Sequence, residues 1–429
     1  MAMPLAFVLA LIGLLAAIAF IGARAGDGPQ YLPAVEPAVD LIAYADSEGR
    51  IHLVDPEGSQ DTMISEDAGF FTWPVWSPDA SSLAFSGIIL DPTGQSVLEM
   101  HQYNLDTGTT TRVYVNSPGM GPILEGMPHY PLWSPDGSKL GIMASERLGL
   151  TLLLTEPGLG APHDVVIRDA PLYAGWSSDS SRLLVHAGAE QYLVNVQEGT
   201  TSEPIGIGST AYRAPAWRAG SNQVAFVSSG ALGRQELTVA DVVSGDSLVV
   251  QPVAATVAFS WSPDGKWLAI GETFPPSPLT YNRVRLVPWN GLRDGSGGSG
   301  SVEAITAPVV AFFWSPNSQY IAYVILTDER GVFEWRMHEV DSGTDWPVVE
   351  FAPSDEQVTM FGFFDQFSQS HSVWSPRSDA IVFSGVLVSE GVSASSRSQT
   401  PTKVLVADAL ADSAVRDVGT GLLAVWSPR

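Results

Sequence analysis

One tetrapeptide keeps returning along this chain. Trp76-Ser77-Pro78-Asp79, Trp133-Ser134-Pro135-Asp136, Trp176-Ser177-Ser178-Asp179 and Trp261-Ser262-Pro263-Asp264 are near copies of one motif. Trp314-Ser315-Pro316-Asn317, Trp374-Ser375-Pro376-Arg377 and Trp426-Ser427-Pro428-Arg429 vary its last position, and Trp217-Arg218-Ala219-Gly220 holds the same place in degraded form. Subtracting their positions gives intervals of 41 to 60 residues. Repeats of that size mark an architecture in which each unit is one supersecondary element that buries its faces only against its neighbours.

Each unit reads as strands. After the motif come apolar runs such as Leu83-Ala84-Phe85, Val224-Ala225-Phe226-Val227 and Ile321-Ala322-Tyr323-Val324, then a second run closed by an acidic Gly turn, as at Asp106-Thr107-Gly108. No sustained helical period is expected after residue 25. In the motif, Pro presets φ for a tight turn, and Asp-Gly supplies a side-chain acceptor and a position that tolerates positive φ. The Trp before it is suited to fill the gap between neighbouring wedge-shaped sheets.

These WSPDG-type repeats resemble the PD40 repeats of TolB-like, WD40-like β-propellers, over about residues 41–429. The resemblance implies an all-β, closed β-propeller of four-stranded blades. Residues Leu41 to Asp46 read as a second strand lacking its own Trp strand, which Gly421 to Trp426 would supply, clasping the first blade with the last strand. Eight anchoring tryptophans then predict eight blades, with seven the alternative if the unit at Trp217 forms none. The motif speaks to fold and not to function, because propellers serve as scaffolds, receptors and enzyme domains alike. TolB itself carries an additional α/β domain before its propeller, for which about 15 residues are present here, so its role does not transfer.

The first 25 residues set location. Pro4 to Gly22 is an apolar run without charge, followed by Ala23-Arg24-Ala25, a small-x-small tripeptide of the kind signal peptidase cuts. A cleaved signal peptide fits the tripeptide; an uncleaved membrane anchor, crossing through residues 4–22, fits the length. Both readings put the rest outside the cytoplasm, in the periplasm or at the cell surface. The domain plan is thus a signal or anchor over 1–25, a linker over 26–40 and a propeller over 41–429.

A net charge of −25 repels phosphate backbones, so nucleic acid is not an expected partner. Zero cysteines exclude disulfides, thiolate metal sites and a Cys nucleophile. No GxSxG elbow or HExxH helix occurs, and the seven histidines are scattered, so neither catalysis, a metal nor a cofactor is expected. Asp55-Pro56-Glu57-Gly58 and Asp91-Pro92-Thr93-Gly94 read as acidic turns rather than calcium loops.

Four segments exceed a minimal blade: Asn116 to Pro131, which could fold over a ring face, the Gly/Ser loop Gly291 to Ser301, the Ser-rich loop Ser389 to Pro401, and the aromatic stretch Phe351 to His371. That last stretch either buries its rings or exposes them as a contact patch. Three positions before a motif Trp stand Trp73, Tyr130, Tyr173 and His371; four before stand His129 and Arg213. With Asp365 they form a candidate binding site at one mouth of the channel; the alternative is that they pack and plug the rim. The function expected is a non-catalytic protein–protein interaction or scaffold module, its partner associated with membrane or envelope. The other reading is a ligand-binding or hydrolytic propeller holding a sugar, peptide, small ligand or metal.

Overall fold

The computed structural model describes residues 40–429 apart from 66–68, 117–125, 147–148, 159–163, 203, 205–210, 231–232, 275–279, 293–299, 328–330, 389–399 and 411–413. The signal or anchor segment and nearly all of the linker therefore lie outside the described residues. So do most of the loops expected at 116–131, 291–301 and 389–401. Among the described residues no helix is long and apolar enough to cross a membrane.

The described residues are all-β but for one insertion. Strands join antiparallel neighbours into five four-stranded sheets and one ten-stranded sheet. The first sheet runs Asp61–Met63, Ile51–Val54, Ile42–Ala45 and then Leu423–Trp426, which pairs Ile42 with Trp426 and Ala45 with Leu423. The expected partnership of the two chain ends is thus present. The degraded unit also builds a whole sheet: Ala216–Trp217, Gln223–Ser229, Gln235–Asp241 and Ser247–Val253. Pro128 to Pro131, taken from sequence as part of a loop, belong to the strand Pro128–Trp133, because the apolar run before the motif Trp pairs with Leu140–Glu146.

The ten-stranded sheet arises where strands serve two units. Val302–Trp314 pairs through its first half with Tyr281–Pro288 and through its second half with Tyr320–Leu326. Thr344–Pro353 pairs along Phe333–Glu339 and, at its end, with Ala380–Leu387. Trp374 makes only a single bridge, to Ile381.

The motif tryptophans do more than fill space. Each indole N–H donates to the carbonyl of the residue just before the preceding motif Trp. Trp133 reaches Val75 O, Trp176 Leu132 O, Trp217 Gly175 O, Trp261 Ala216 O, Trp314 Ser260 O and Trp374 Phe313 O, at 2.8 to 3.4 Å. Trp76 reaches Val425 O at 3.3 Å, beside Trp426. Trp426 departs from the pattern: its indole bonds Asp40, while its backbone N–H donates to Ser372 O at 2.8 Å. One side chain thus buries its rings and satisfies its own polar atom, the condition under which a buried indole stabilises.

The turns follow the expected chemistry. Ser77, Ser134, Ser177 and Ser262 donate to the motif Asp at 2.6 to 2.7 Å and accept the N–H five residues on at 2.9 to 3.0 Å. The residue after the motif Asp or Asn is left-handed: Gly137 and Gly265 have φ of 72° and 68°, and Ala80, Ser180 and Ser318 lie at 60° to 62°. Asp55 and Asp91 close their own turns by accepting backbone N–H groups two and four residues on.

The expectation of no helix is corrected by one segment. Asp355–Gly362 and Phe364–Phe367 are helical. Ser354 caps the first, accepting the Gln357 N–H at 3.0 Å, and Asp355 and Glu356 occupy its first turn. Both features complement the free N–H groups and dipole of a helix start.

Candidate functional site

The helical segment carries Phe361, Phe364 and Phe367 three residues apart, and each buried ring reaches a different part of the molecule. Phe361 lies 5.5 Å from Trp335 and 6.3 Å from Phe351. Phe364 packs 4.7 Å from Phe312 and 5.8 Å from Tyr281. Phe367 sits 5.0 Å from Trp73 and 5.1 Å from Tyr130. Burying each such ring is worth roughly 1.5–3 kcal/mol, so the segment is held across several units at once.

Polar bonds fix its rotation. Gln366 takes both backbone groups of Ala174, accepting the N–H and donating to the carbonyl at 2.9 Å each, and donates also to the Tyr130 hydroxyl at 3.0 Å. Tyr130 in turn donates to Gln366 O at 2.8 Å. Asp365 accepts the Ala214 N–H at 3.2 Å, and Gln369 donates to Pro215 O at 3.1 Å. Gly175 permits this approach: a Cβ there would meet Pro215 O at 2.8 Å and Gln369 Oε1 at 3.0 Å.

The seven residues singled out from the sequence divide accordingly. Trp73, Tyr130 and His371 gather around Phe367, with Tyr130 stacked on His371 at 5.8 Å. Arg213 and Asp365 lie 3.8 Å apart. Arg213 also donates to Gly362 O and lies over the Phe363 ring at 5.1 Å. Tyr173 stands beside His186, ring centroids 5.9 Å apart. His129 is separate from both groups and meets the Ser145 hydroxyl at 3.3 Å. Of the sequence alternatives for 351–371, the rings of Phe351, Phe361, Phe364 and Phe367 are buried, and that of Phe363 is half-buried under Arg213.

Burial sets the electrostatics. It pushes the Asp365 carboxyl above its usual range, against the opposing pull of Arg213 and the Ala214 N–H. It lowers His371, fully buried, to about 3, and His129 to about 4. It raises the Tyr173 hydroxyl to about 12. Each is the response of an ionisable group denied water.

Beneath the segment, toward the motif turns, lies a cavity of about 490 Å³. Its wall is made of motif residues, among them Trp76, Trp133, Trp176, Trp217, Trp261 and Trp426, with Pro78, Pro135 and Pro428 beside them. Its floor is Asp365, Ser368, Gln369 and Ser370. Asp365 is the one ionisable side chain among the lining residues. Sequence reasoning assigned the tryptophans to structure alone and, of the floor, named Asp365 but missed Ser368, Gln369 and Ser370. The available signal was Ser354-Asp355-Glu356, an N-cap and acidic first turn that marks a helix rather than a loop. Among the described residues no three His, Asp or Glu side chains are placed to hold a metal ion.

No family model and no curated protein matches this chain. Solved structures do resemble it. TolB from Acinetobacter baumannii is 16% identical with a TM-score of 0.34, the match covering 60% of this chain and 61% of that one, so this chain spans under two thirds of that TolB's length. An oligogalacturonate lyase from Vibrio parahaemolyticus is 10% identical with a TM-score of 0.45, covering 89% and 85%. A eukaryotic initiation factor is 14% identical with a TM-score of 0.49, covering 92% and 99%. The repeated antiparallel sheets, with the last strand pairing into the first sheet, are themselves the arrangement of a β-propeller. At these identities and TM-scores the matches say nothing of activity.

Proposed function

We propose that this chain is a closed propeller of eight blades, acting outside the cytoplasm as a non-catalytic recognition module for a protein partner. Eight Trp-anchored units are its blades, the ten-stranded sheet counting as three of them. Closure is supported by indole bonds that link seven of the eight units to the one before, by the Trp426 backbone N–H bonded to Ser372 O, and by the pairing of Leu423–Trp426 with Ile42–Ala45. The apolar run Pro4 to Gly22 supports export or attachment to membrane or envelope.

The observation that carries the recognition reading is the make-up of the central cavity. Indoles, prolines, hydroxyls and one amide surround a single carboxyl. Acid–base catalysis at a bond needs a second group to return or accept the proton, and Asp365 has no such companion in the lining. Trp73, Tyr130 and His371 are engaged with Phe367 of the helical segment, which supports a cluster built for stability.

Chemical crosslinking of the tagged full chain in native membranes, followed by mass spectrometry, tests this. A stoichiometric partner crosslinked through residues near the cavity supports the reading. A chain that yields no partner, yet turns over a glycan or lactone substrate, overturns it.

A further inference from the structure

Trp426 is the one motif tryptophan whose indole does not bond the preceding unit. The acceptor it finds instead is the carboxylate of Asp40, the last residue of the linker. Asp40 is 7% exposed. Its other carboxylate oxygen pairs with the Arg377 guanidinium at 2.6 Å, and its N–H donates to Arg429 O at 3.0 Å. One residue on, the Leu41 N–H donates to the Ser427 hydroxyl at 3.1 Å, and Leu41 O accepts the Ser427 N–H at 2.8 Å. Asp40 keeps these partners at φ of 89°, a backbone that a non-glycine residue holds only where its surroundings impose it. One carboxylate therefore fastens both the closing strand Leu423–Trp426 and the turn at Arg377.

The same strand holds the helical segment at both ends. Ser354, the cap of the first helix, donates its hydroxyl to Leu422 O, one residue before the strand. Ser372, which leads from the second helix to Trp374, accepts the Trp426 N–H at 2.8 Å. The Leu422 N–H in turn donates to Ala45 O at 2.7 Å. A closing strand that leaves Ile42–Ala45 thus takes both of these bonds with it. The segment between them supplies the cavity floor, Asp365, Ser368, Gln369 and Ser370.

We infer that Asp40 is a latch between the linker and the cavity floor. Its carboxylate keeps the closing strand in place, and its release makes the helical segment open more often. The rings of Phe361, Phe364 and Phe367 still favour the seated state, so the change is one of opening frequency rather than of fold. A pull or displacement at the linker reaches the cavity by this route, whichever partner the cavity takes.

Hydrogen exchange of the full chain in detergent, read by mass spectrometry, tests the latch. Asp40→Ala is expected to speed exchange about tenfold or more at Ile42–Ala45, at Leu423–Trp426 and over residues 355–367, while Gln235–Asp241 in the unit of Trp217 keeps its wild-type rate. Arg377→Gln, which leaves the bond between Asp40 and Trp426 in place, is expected to give the same pattern at smaller size, and it carries the test alone if Asp40→Ala is not recovered folded. Faster exchange in the two strands with 355–367 unchanged overturns the coupling. An equal rise in every segment, Gln235–Asp241 included, is unfolding of the whole molecule and overturns it as well. Unchanged exchange throughout overturns the latch itself.

Discussion

Ala80 has φ of 60°, where Gly137 and Gly265 stand in sister turns at 72° and 68°. A Cβ in the left-handed region costs about 1 kcal/mol, and the Ala80 methyl is only half-buried at the edge of the cluster of Trp76, Leu83 and Leu105. Ala80→Gly is expected to raise the urea midpoint by an amount equal to about 1 kcal/mol of stability. Ser318 has the same backbone but a different reason for it: its hydroxyl accepts the Asp264 N–H of the preceding motif turn at 3.0 Å. Ser318→Gly trades relief of strain for that bond, and no gain is expected in the same assay. His52 offers a second test at this scale. Burial lowers its pKa, but the Asp46 and Asp61 carboxylates, at 3.4 and 2.9 Å, overcome this and raise it to about 9. A group raised in the folded state stabilises fully below its unfolded pKa of about 6.5 and loses that contribution as pH rises through about 9. His52→Gln should therefore lower the melting temperature at pH 6 and hardly at all at pH 10.

At the scale of elements, the helical segment is the departure from repetition. Gln366 makes three side-chain hydrogen bonds to Ala174 and Tyr130, all buried. Gln366→Ala strands both backbone groups of Ala174 and is expected to cost about 2–4 kcal/mol in chemical denaturation. His371 gives the segment an acid sensitivity. Its folded pKa of about 3 lies below the unfolded value, so the unfolded chain binds the extra proton, and stability falls as pH drops from about 6.5 toward 3. The slope from this one group is up to about 1.4 kcal/mol per pH unit. His371→Gln is expected to flatten the decline of melting temperature between pH 6.5 and 4.

On the scale of the whole molecule, the indole bonds of every motif Trp but Trp426 tie one unit to the one before. Trp374→Phe keeps most of the ring volume but leaves Phe313 O without its donor at 3.0 Å. The expected cost is about 1–3 kcal/mol, in a transition that stays cooperative. Deleting residues 421–429 acts differently, because it bares the edge of Ile42–Ala45, four buried residues that now pair with Leu423–Trp426. An unpaired apolar edge recruits other chains. Size-exclusion chromatography should show concentration-dependent association of the truncated protein.

The sequence by itself determined what repeats. The Trp before each turn, the Ser-Pro-Asp turn and the paired apolar strands are local patterns of period two and fixed spacing, so their geometry follows from neighbours in the chain. Even the pairing of the two ends was legible, because Leu41 to Asp46 lacked an inner strand and Gly421 to Trp426 was left over. Tertiary structure decided what does not repeat. Gln366 meets Ala174, Asp365 meets Ala214 and Ser354 meets Leu422 across separations of 68 to 192 residues. No spacing in the sequence encodes those distances. The same is true of the cavity, whose floor and wall come from residues between Val75 and Pro428. A single aromatic run can bury or expose its rings with equal local cost, and only the units assembled around Phe361, Phe364 and Phe367 supply the apolar surfaces that settle which.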